Sequence, residues 1–453
     1  MNGTRRGTNN PVKVSVVGTG YLGATHAACL SALGHDVVGI DCDPRRAEAL
    51  AHGRLPFHEP GLAAVLGEGL ASGRLRFTTD LDSATTAQVH FICVGTPQRP
   101  GSQQADLSYV WDVVAALGPR LRRPCLVVGK STVPVGTAAR IADRLRTLAP
   151  VAGDAEVAWN PEFLREGHAV EDSLSPDRLV FGVQSDEADQ ILRDLYASLI
   201  ARGIPVVRTD LATAELAKAS ANVMLATRVS LVNLLAEVCE AADADVGDLI
   251  EVLGHDARIG PLYLRPGVGY GGGCLPKDTR AFIARAAELG VVESGSLLRE
   301  VDALNMRQRA RTVDLTRRLL DRSPAESSVA VLGAAFKAGS DDVRDSPALD
   351  IATTLHRQGV PVRVYDPAAL ESARRVRPEL AYTSTLHDAC QDADVTLVLT
   401  EWAEFSGVDP VSLADVVRRP VVVDGRLVLD ADKWRAAGWR VHALGRGPRS
   451  APA

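Results

Sequence analysis

The chain has 453 residues, 46% of them hydrophobic and 23% charged, and a formal net charge of −6. That length is too great for one core and calls for two or three domains, while the charge leaves no basic face for nucleic acid and no polybasic membrane anchor. Seven cysteines without a Cys-x-x-Cys pair exclude a disulfide framework and a structural zinc, and fit a reducing cytoplasm.

Residues 1–11 are polar, with Arg5 and Arg6 but no apolar stretch of the kind a secretory signal needs, and read as a disordered leader. No uninterrupted apolar run approaches the roughly 18 residues that span a bilayer. Val12–Val17 is a short β-rich run that flows into Gly18-Thr19-Gly20-Tyr21-Leu22-Gly23. The pattern predicts a helix over Ala24–Leu33, a stop at Gly34 and a strand over Asp36–Ile40 that ends at Asp41. Strand, G-x-G-x-x-G, helix, strand and acid together form the dinucleotide fingerprint in its full context. The glycines allow a tight turn and close pyrophosphate approach, and the helix start supplies N–H donors. Asp41 would accept the adenosine ribose hydroxyls, favouring NAD over NADP, although Arg45 and Arg46 follow it.

Val89–Val94 and Cys125–Val128 continue a parallel sheet, followed by Gly95-Thr96-Pro97 and by Gly129-Lys130-Ser131-Thr132-Val133-Pro134. Ligands bind beyond the carboxyl ends of such strands, so Thr96 and Thr132 are candidates to meet cofactor or substrate; ordinary turn chemistry is the alternative. After a strand at Glu156–Ala158, Glu162 and Glu166 stand at i,i+4 spacing. On a helix they would share a face with no cation between them, either for function or as a solvated acidic surface.

Thr213–Ala244 has no glycine or proline and reads as one long helix capped by Asp210 or Thr213. Leu216, Val223, Met224, Leu225, Val229, Leu231, Val232, Leu234, Leu235 and Val238 make it apolar nearly all round, which predicts burial on several sides and a dimer face. Lys218 and Asn222, four residues apart on this apolar stretch, would point to one spot, and a buried lysine calls for a partner or a function.

Gly267-Val268-Gly269-Tyr270-Gly271-Gly272-Gly273-Cys274 is a glycine-rich approach to a single thiol, followed by a helix that starts near Lys277 and Asp278. A helix N-terminus can lower a nearby thiol's pKa, whereas a surface loop with an incidental cysteine is the plainer alternative. The other six cysteines (Cys29, Cys42, Cys93, Cys125, Cys239 and Cys390) sit in apolar contexts and read as core.

After Arg322-Ser323-Pro324 the chain repeats its amino-terminal outline, with Gly333-Ala334-Ala335-Phe336-Lys337 in place of the glycine triplet. That turn suits a phosphorylated ligand held by Lys337 better than a dinucleotide, and Arg344 either contacts ligand or pairs with the acids around it. The expected fold is thus α/β, two doubly wound Rossmann-like domains joined by a long central helix. The expected divisions are a cofactor domain at 12–210, a helical domain at 211–320, a second Rossmann-like domain at 321–445 and a disordered tail at 446–453.

In this order the motifs resemble the UDP-glucose 6-dehydrogenase family, within the wider nucleotide-sugar 6-dehydrogenases, over roughly Val12 to Gly438. The resemblance rests on Gly18–Gly23, Glu59-Pro60-Gly61-Leu62, Gly95-Thr96-Pro97, Lys130–Gly136, Asn160–Gly167, Lys218–Asn222, Arg258-Ile259-Gly260, Gly269–Asp278 and Phe336-Lys337. It implies oxidation of UDP-glucose by two NAD to UDP-glucuronate, with Cys274 carrying a thiohemiacetal and then a thioester. Lys218 and Asn222 would stabilise the oxyanion, and Thr132 with Asp278 would handle the alcohol proton through a water. Glu162 would direct water at the thioester, with Glu166 in reserve. Gly18, Gly20, Tyr21, Leu22, Gly23, Asp41, Thr96, Thr132 and Arg344 would hold NAD. Phe163, Leu164, Glu166, Lys218, Asn222, Tyr263, Gly271, Phe336 and Lys337 would hold the UDP-sugar, with Arg258 reaching it across a homodimer interface. The resemblance implies no metal, no nucleic acid and no membrane partner. Leu22 and Gly273 depart from the family's usual valine and serine, without removing a reacting group. GDP-mannose dehydrogenases share Cys274-Leu275-Pro276-Lys277-Asp278, which leaves GDP-mannose as the alternative substrate and a catalytically silent nucleotide-sugar binder as the alternative class.

Overall fold

The structure, a computed structural model, describes residues 11–447. The expected disordered leader, up to residue 10, and the expected tail, from residue 448, lie outside the described residues. By its contacts the chain divides into two compact units, residues 1–221 and 222–453.

The first unit is built on an eight-stranded sheet: β1 (Lys13–Val17), β2 (Asp36–Ile40), β3 (Leu75–Thr78), β4 (Val89–Ile92), β5 (Cys125–Gly129), β6 (Ala155–Trp159), β7 (Leu179–Gly182) and β8 (Val206–Thr209). Their order is 3-2-1-4-5-6-7-8, parallel throughout except where β7 meets β6 antiparallel at Trp159 and Gly182. The first six strands follow the doubly wound order, which reverses direction between β1 and β4. Every residue of β4 and β5 is buried, as expected of central parallel strands covered on both faces.

The second unit carries β9 (Val329–Leu332), β10 (Val362–Tyr365), β11 (Ala381–Tyr382), β12 (Val395–Val398), β13 (Val421–Asp424) and β14 (Arg440–Ala443). All are parallel, in the order 11-10-9-12-13-14, which repeats 3-2-1-4-5-6. The α/β class and the repeat follow the sequence reading. Residues 446 and 447 are described, against the expectation of a disordered tail from 446: Arg446 pairs with Asp245 at 2.9 Å.

Both sheets tie down the turn after their first strand in the same way. Gly18 (φ +90°) and Gly333 (φ +112°) adopt left-handed backbone, and an added Cβ would stand 2.7 Å from Val94 and 2.2 Å from Thr400. The acid closing the second strand then accepts the turn's amides. Asp41 takes Thr19 N at 2.8 Å, and Asp366 takes Ala334 N at 2.7 Å and Ala335 N at 3.0 Å. Asp366 also accepts Ala368 N, Ala369 N and the Trp402 indole N–H, and it is fully buried. With its acceptor capacity filled, it cannot bind a ribose. The third glycine differs too. The helix after Gly20 spans Tyr21–Ala32, three residues earlier than expected, so Gly23 lies in its first turn with an added Cβ 1.8 Å from the Gly18 carbonyl oxygen. After β9 no helix begins until Pro347, and that constraint is absent.

The long helix spans Leu211–Ala242, with Thr213 N on Asp210 Oδ1 at 2.8 Å. It begins and ends two residues earlier than expected, and the division between the units falls within it. Burial is on several sides but not all. Leu216, Met224, Leu231, Leu234 and Val238 form one exposed stripe, with Met224 65% exposed. Among the described residues this is the one helix long and apolar enough to cross a membrane, although its apolar residues do not form an uninterrupted run. Two of its polar groups are engaged within the protein, Ser230 Oγ donating to the Val301 carbonyl and Asn233 Oδ1 accepting Gly267 N.

Candidate active site

In the first unit, the N-terminus of the Tyr21–Ala32 helix has neither a capping side chain nor an acid in its first turn. Amides at such an end suit an anion, and with Gly18 and Gly23 unable to bear a side chain the turn fits a pyrophosphate. Leu22 packs against the core beneath. Asp41 is 5% exposed, and its oxygens accept Thr19 N and Oγ1, Asp43 N and the Arg46 guanidinium at 3.1 Å. Arg46, 38% exposed at its side chain, is the partner able to swing aside for ribose hydroxyls. Arg45 pairs instead with Asp43. Asp41→Ala is expected to weaken NAD binding and to narrow the preference over NADP, measured as the ratio of kcat/KM values. Equal use of both cofactors by the unaltered chain would contradict this role.

Tyr21 does more than fill the turn. Its hydroxyl donates to Glu59 and accepts from Gly167 N at 3.1 Å, and Glu59 also accepts Gly167 N and Ala169 N, each at 2.7 Å. Burial and the Glu59 carboxylate push the Tyr21 phenol far above its ordinary pKa. Glu59 thereby ties the cofactor turn to the loop that ends at Gly167. No local pattern signals this role, because the partners of Glu59 lie 38 to 110 residues away. Thr96 Oγ1 donates to the Thr132 carbonyl at 2.6 Å, so these two residues are brought together.

Residues 160–165 form no helix, and Glu162 and Glu166 do not share a helical face. The i,i+4 spacing brings two side chains together only where the backbone is helical. The absence of a cation is corrected as well. Glu162 Oε1 lies 3.0 Å from Lys218 Nζ, both side chains nearly buried, while Oε2 accepts Leu164 N at 2.6 Å. Phe163 stacks under Arg178 at 3.7 Å, with Lys218 Nζ 5.7 Å from the same ring. Glu166 lies close enough to Tyr21 to bear on its titration.

In the second unit, Asn222 Nδ2 donates to Asp278 Oδ2 at 2.6 Å, and Lys277 Nζ reaches Asp278 Oδ1 at 2.5 Å. Lys218 and Asn222 thus engage different carboxylates from successive turns. Cys274 is the exposed N-cap residue of the helix Leu275–Glu288. Cys42 is exposed too, against the expectation of core, since it follows β2 in a turn.

The glycine loop is buried, and protein rather than open space surrounds it. An added Cβ would meet Arg426 at Gly267, Asn305 at Gly269, Asp345 at Gly271, Phe336 at Gly272 and the Arg344 guanidinium at Gly273. Only Gly269 and Gly272 among them have positive φ. Asn305 and Arg309, one turn apart on the helix Ser296–Leu319, hold the loop by the peptide groups of Tyr270. Arg344 bonds Asp342 at 2.6 Å while its backbone carbonyl takes Gly272 N at 2.8 Å. Gly271, Phe336, Lys337 and Arg344 therefore gather around the thiol loop, with Lys337 Nζ 5.5 Å from the Phe336 ring. Arg258 and Tyr263 are exposed, and Arg258 pairs with Asp256 of its own loop.

Three family descriptions match in succession: the NAD binding domain of the UDP-glucose/GDP-mannose dehydrogenase family over residues 12–200, its central domain over 212–307 and its UDP binding domain over 330–431. The fold and the cofactor turn accordingly define an NAD-dependent oxidoreductase of nucleotide sugars. UDP-glucose 6-dehydrogenase of Rhizobium meliloti is 38% identical over 445 residues, covering 96% of this chain and all of the relative. A UDP-glucose 6-dehydrogenase of Haloferax volcanii is 40% identical, over 92% of this chain and 97% of its own. The solved UDP-glucose dehydrogenase of Pyrobaculum islandicum superposes with a TM-score of 0.89 at 36% identity, covering 98% of this chain and 100% of that one. The chain belongs to the UDP-glucose/GDP-mannose dehydrogenase family.

Proposed function

We propose that this enzyme oxidises C6 of UDP-glucose through two hydride transfers to give UDP-glucuronate, by a covalent route on Cys274. One observation carries the route: an exposed cysteine stands at a helix N-terminus, with Lys277 and Asp278 in that helix's first turn and Asn222 of the long helix bonded to Asp278. Two NAD in succession, each held at the Gly18–Gly23 turn, would supply the hydride acceptors for the two oxidations. Thr132 and Asp278, through a water, take the proton of the C6 hydroxyl. The Cys274 thiolate adds to the aldehyde, because an aldehyde offers no hydride-donating alkoxide until a nucleophile adds. Lys218 and Asn222 hydrogen-bond the oxygen that carries the developing charge. After the second hydride leaves, a thioester joins C6 to Sγ. Glu162 takes a proton from water as its oxygen forms the new C–O bond; the C–S bond breaks and Cys274 returns as thiolate. Phe336, Lys337 and Gly271 hold the nucleotide beside the thiol loop.

The test is NADH yield across UDP-glucose, UDP-N-acetylmannosamine and GDP-mannose. Two NADH per UDP-glucose, with the others slow, is expected; one NADH per sugar, or faster turnover of GDP-mannose, would overturn the reading.

The same reading includes a homodimer formed through the exposed stripe of the long helix, with Arg258 reaching the partner's sugar. Five large apolar side chains on one face support it, since isolated surfaces seldom expose such a row. Light scattering at micromolar concentration should give twice the chain mass, and Met224→Asp with Leu231→Asp should give the chain mass. A monomeric unaltered chain would sink the proposal. Seven cysteines outside any disulfide support a cytoplasmic location.

A further inference from the structure

Lys130 follows the last residue of β5 and is 7% exposed. Its ammonium donates to Asn160 Oδ1 at 2.9 Å and to the Asn160 carbonyl at 3.4 Å, both neutral acceptors. Asn160 is itself fixed: its Oδ1 also accepts the Tyr196 hydroxyl at 2.7 Å, and its Nδ2 donates to the Val180 carbonyl at 3.0 Å. Phe91 of β4 lies beneath the ammonium, 5.8 Å from ring centre to Nζ. The charged and titratable groups that bear on it come from four directions. They are Cys93 after β4, Glu162 two residues beyond Asn160, Lys218 on the long helix and His26 on the Tyr21–Ala32 helix. Burial keeps His26 neutral and pushes the Cys93 thiol up to about 12. The cluster thus holds two ammonium groups and one carboxylate, all nearly removed from solvent.

The ion pair in this cluster creates a difficulty for the chemistry. Glu162 is paired with Lys218 at 3.0 Å, yet the proposed route needs Lys218 at the substrate oxygen and Glu162 ionised to take a proton from water. A nearly buried carboxylate that loses its cation binds a proton and ceases to be a base. Lys130 is held by Asn160, and that anchor does not depend on where Lys218 points.

We propose that Lys130 is a positioning residue of the hydrolysis step: its ammonium, anchored on Asn160, keeps Glu162 ionised while Lys218 serves the substrate oxyanion. The inference rests on the covalent reading above. It also accounts for a lysine left buried without function in that mechanism. Burial, opposed by Cys93 and Glu162 and aided by Lys218, lowers the Lys130 pKa to about 8, so the ammonium is present at neutral pH and titrates just above it.

The experiment compares Lys130→Met, Lys130→Arg and the unaltered enzyme by pH profile of thioester hydrolysis in single turnover, with intact mass to detect the adduct. A carboxylate that loses a nearby cation has a raised pKa, so the acid limb in Lys130→Met should move upward by about one pH unit. The adduct should accumulate on the acid side of the profile. Lys130→Arg should keep the acid limb in place, because the guanidinium keeps the positive charge. Replacing a buried ammonium by an apolar chain need not destabilise, so the thermal midpoint of Lys130→Met should hold, which a merely structural role would not allow. If Lys130→Met fails to fold, Lys130→Gln, which removes the charge but can still hydrogen-bond Asn160, decides by the same acid limb. An acid limb unmoved in the variant without the charge, or moved as far in Lys130→Arg, overturns the proposal. Glu162→Gln separates the two levels. An adduct trapped there with unmoved Lys130 profiles refutes only the role of Lys130, whereas no adduct in Glu162→Gln refutes the covalent reading beneath it.

Discussion

Cys274→Ser should bind UDP-glucose and NAD almost normally and yet form UDP-glucuronate more slowly by a factor on the order of 10⁴ or more, as expected when a nucleophile is removed from a site that acts as a unit. Serine keeps the shape of the N-cap position but presents an alcohol where the chemistry needs a thiolate. Any adduct it forms is an oxygen ester, which hydrolyses slowly because an alkoxide leaves poorly. Intact mass of the quenched protein would then show the ester with up to two NADH released per site. Binding should survive because the loop's position comes from Asn305, Arg309 and the packing of Phe336 and Arg344 against its glycines, none of which involves sulfur. Turnover at the unaltered rate with two NADH per sugar would end the covalent route.

Glu162→Gln should instead keep the thiol chemistry and stall after it. A burst of two NADH per site, an adduct with the mass of the UDP-glucuronyl thioester, and a steady rate lower by about 10²–10³ are expected. The amide cannot take the proton of the attacking water, and it also removes the charge facing Lys218 at 3.0 Å. With both side chains nearly buried, breaking that pair by changing one partner costs about 3 kcal/mol. The thermal midpoint should therefore fall as well. Adding Lys218→Met should recover part of the midpoint without recovering activity. A steady rate close to normal, or a burst without adduct, would remove Glu162 from the hydrolysis step and turn attention to Glu166.

The parts of this protein legible in its sequence are those specified by short-range pattern. The fingerprint from Gly18 to Asp41 could be read because a tight turn, a helix start and a strand end each demand particular residues within about 25 positions. The second doubly wound sheet was legible for the same reason, and so was its lack of a glycine triplet. The tertiary structure alone decided what the polar residues do, because their partners lie far away along the chain. Glu59 meets Ala169 across 110 residues, Lys130 meets Asn160 across 30, and Glu162 meets Lys218 from a loop where its i,i+4 spacing to Glu166 suggested a helix. The glycine loop carries the same lesson. Its composition announced close approach, but only the packing revealed that Asn305, Phe336 and Arg344 make that approach. A missing Cβ records that something must come near, and which atoms do so is set by the fold around it.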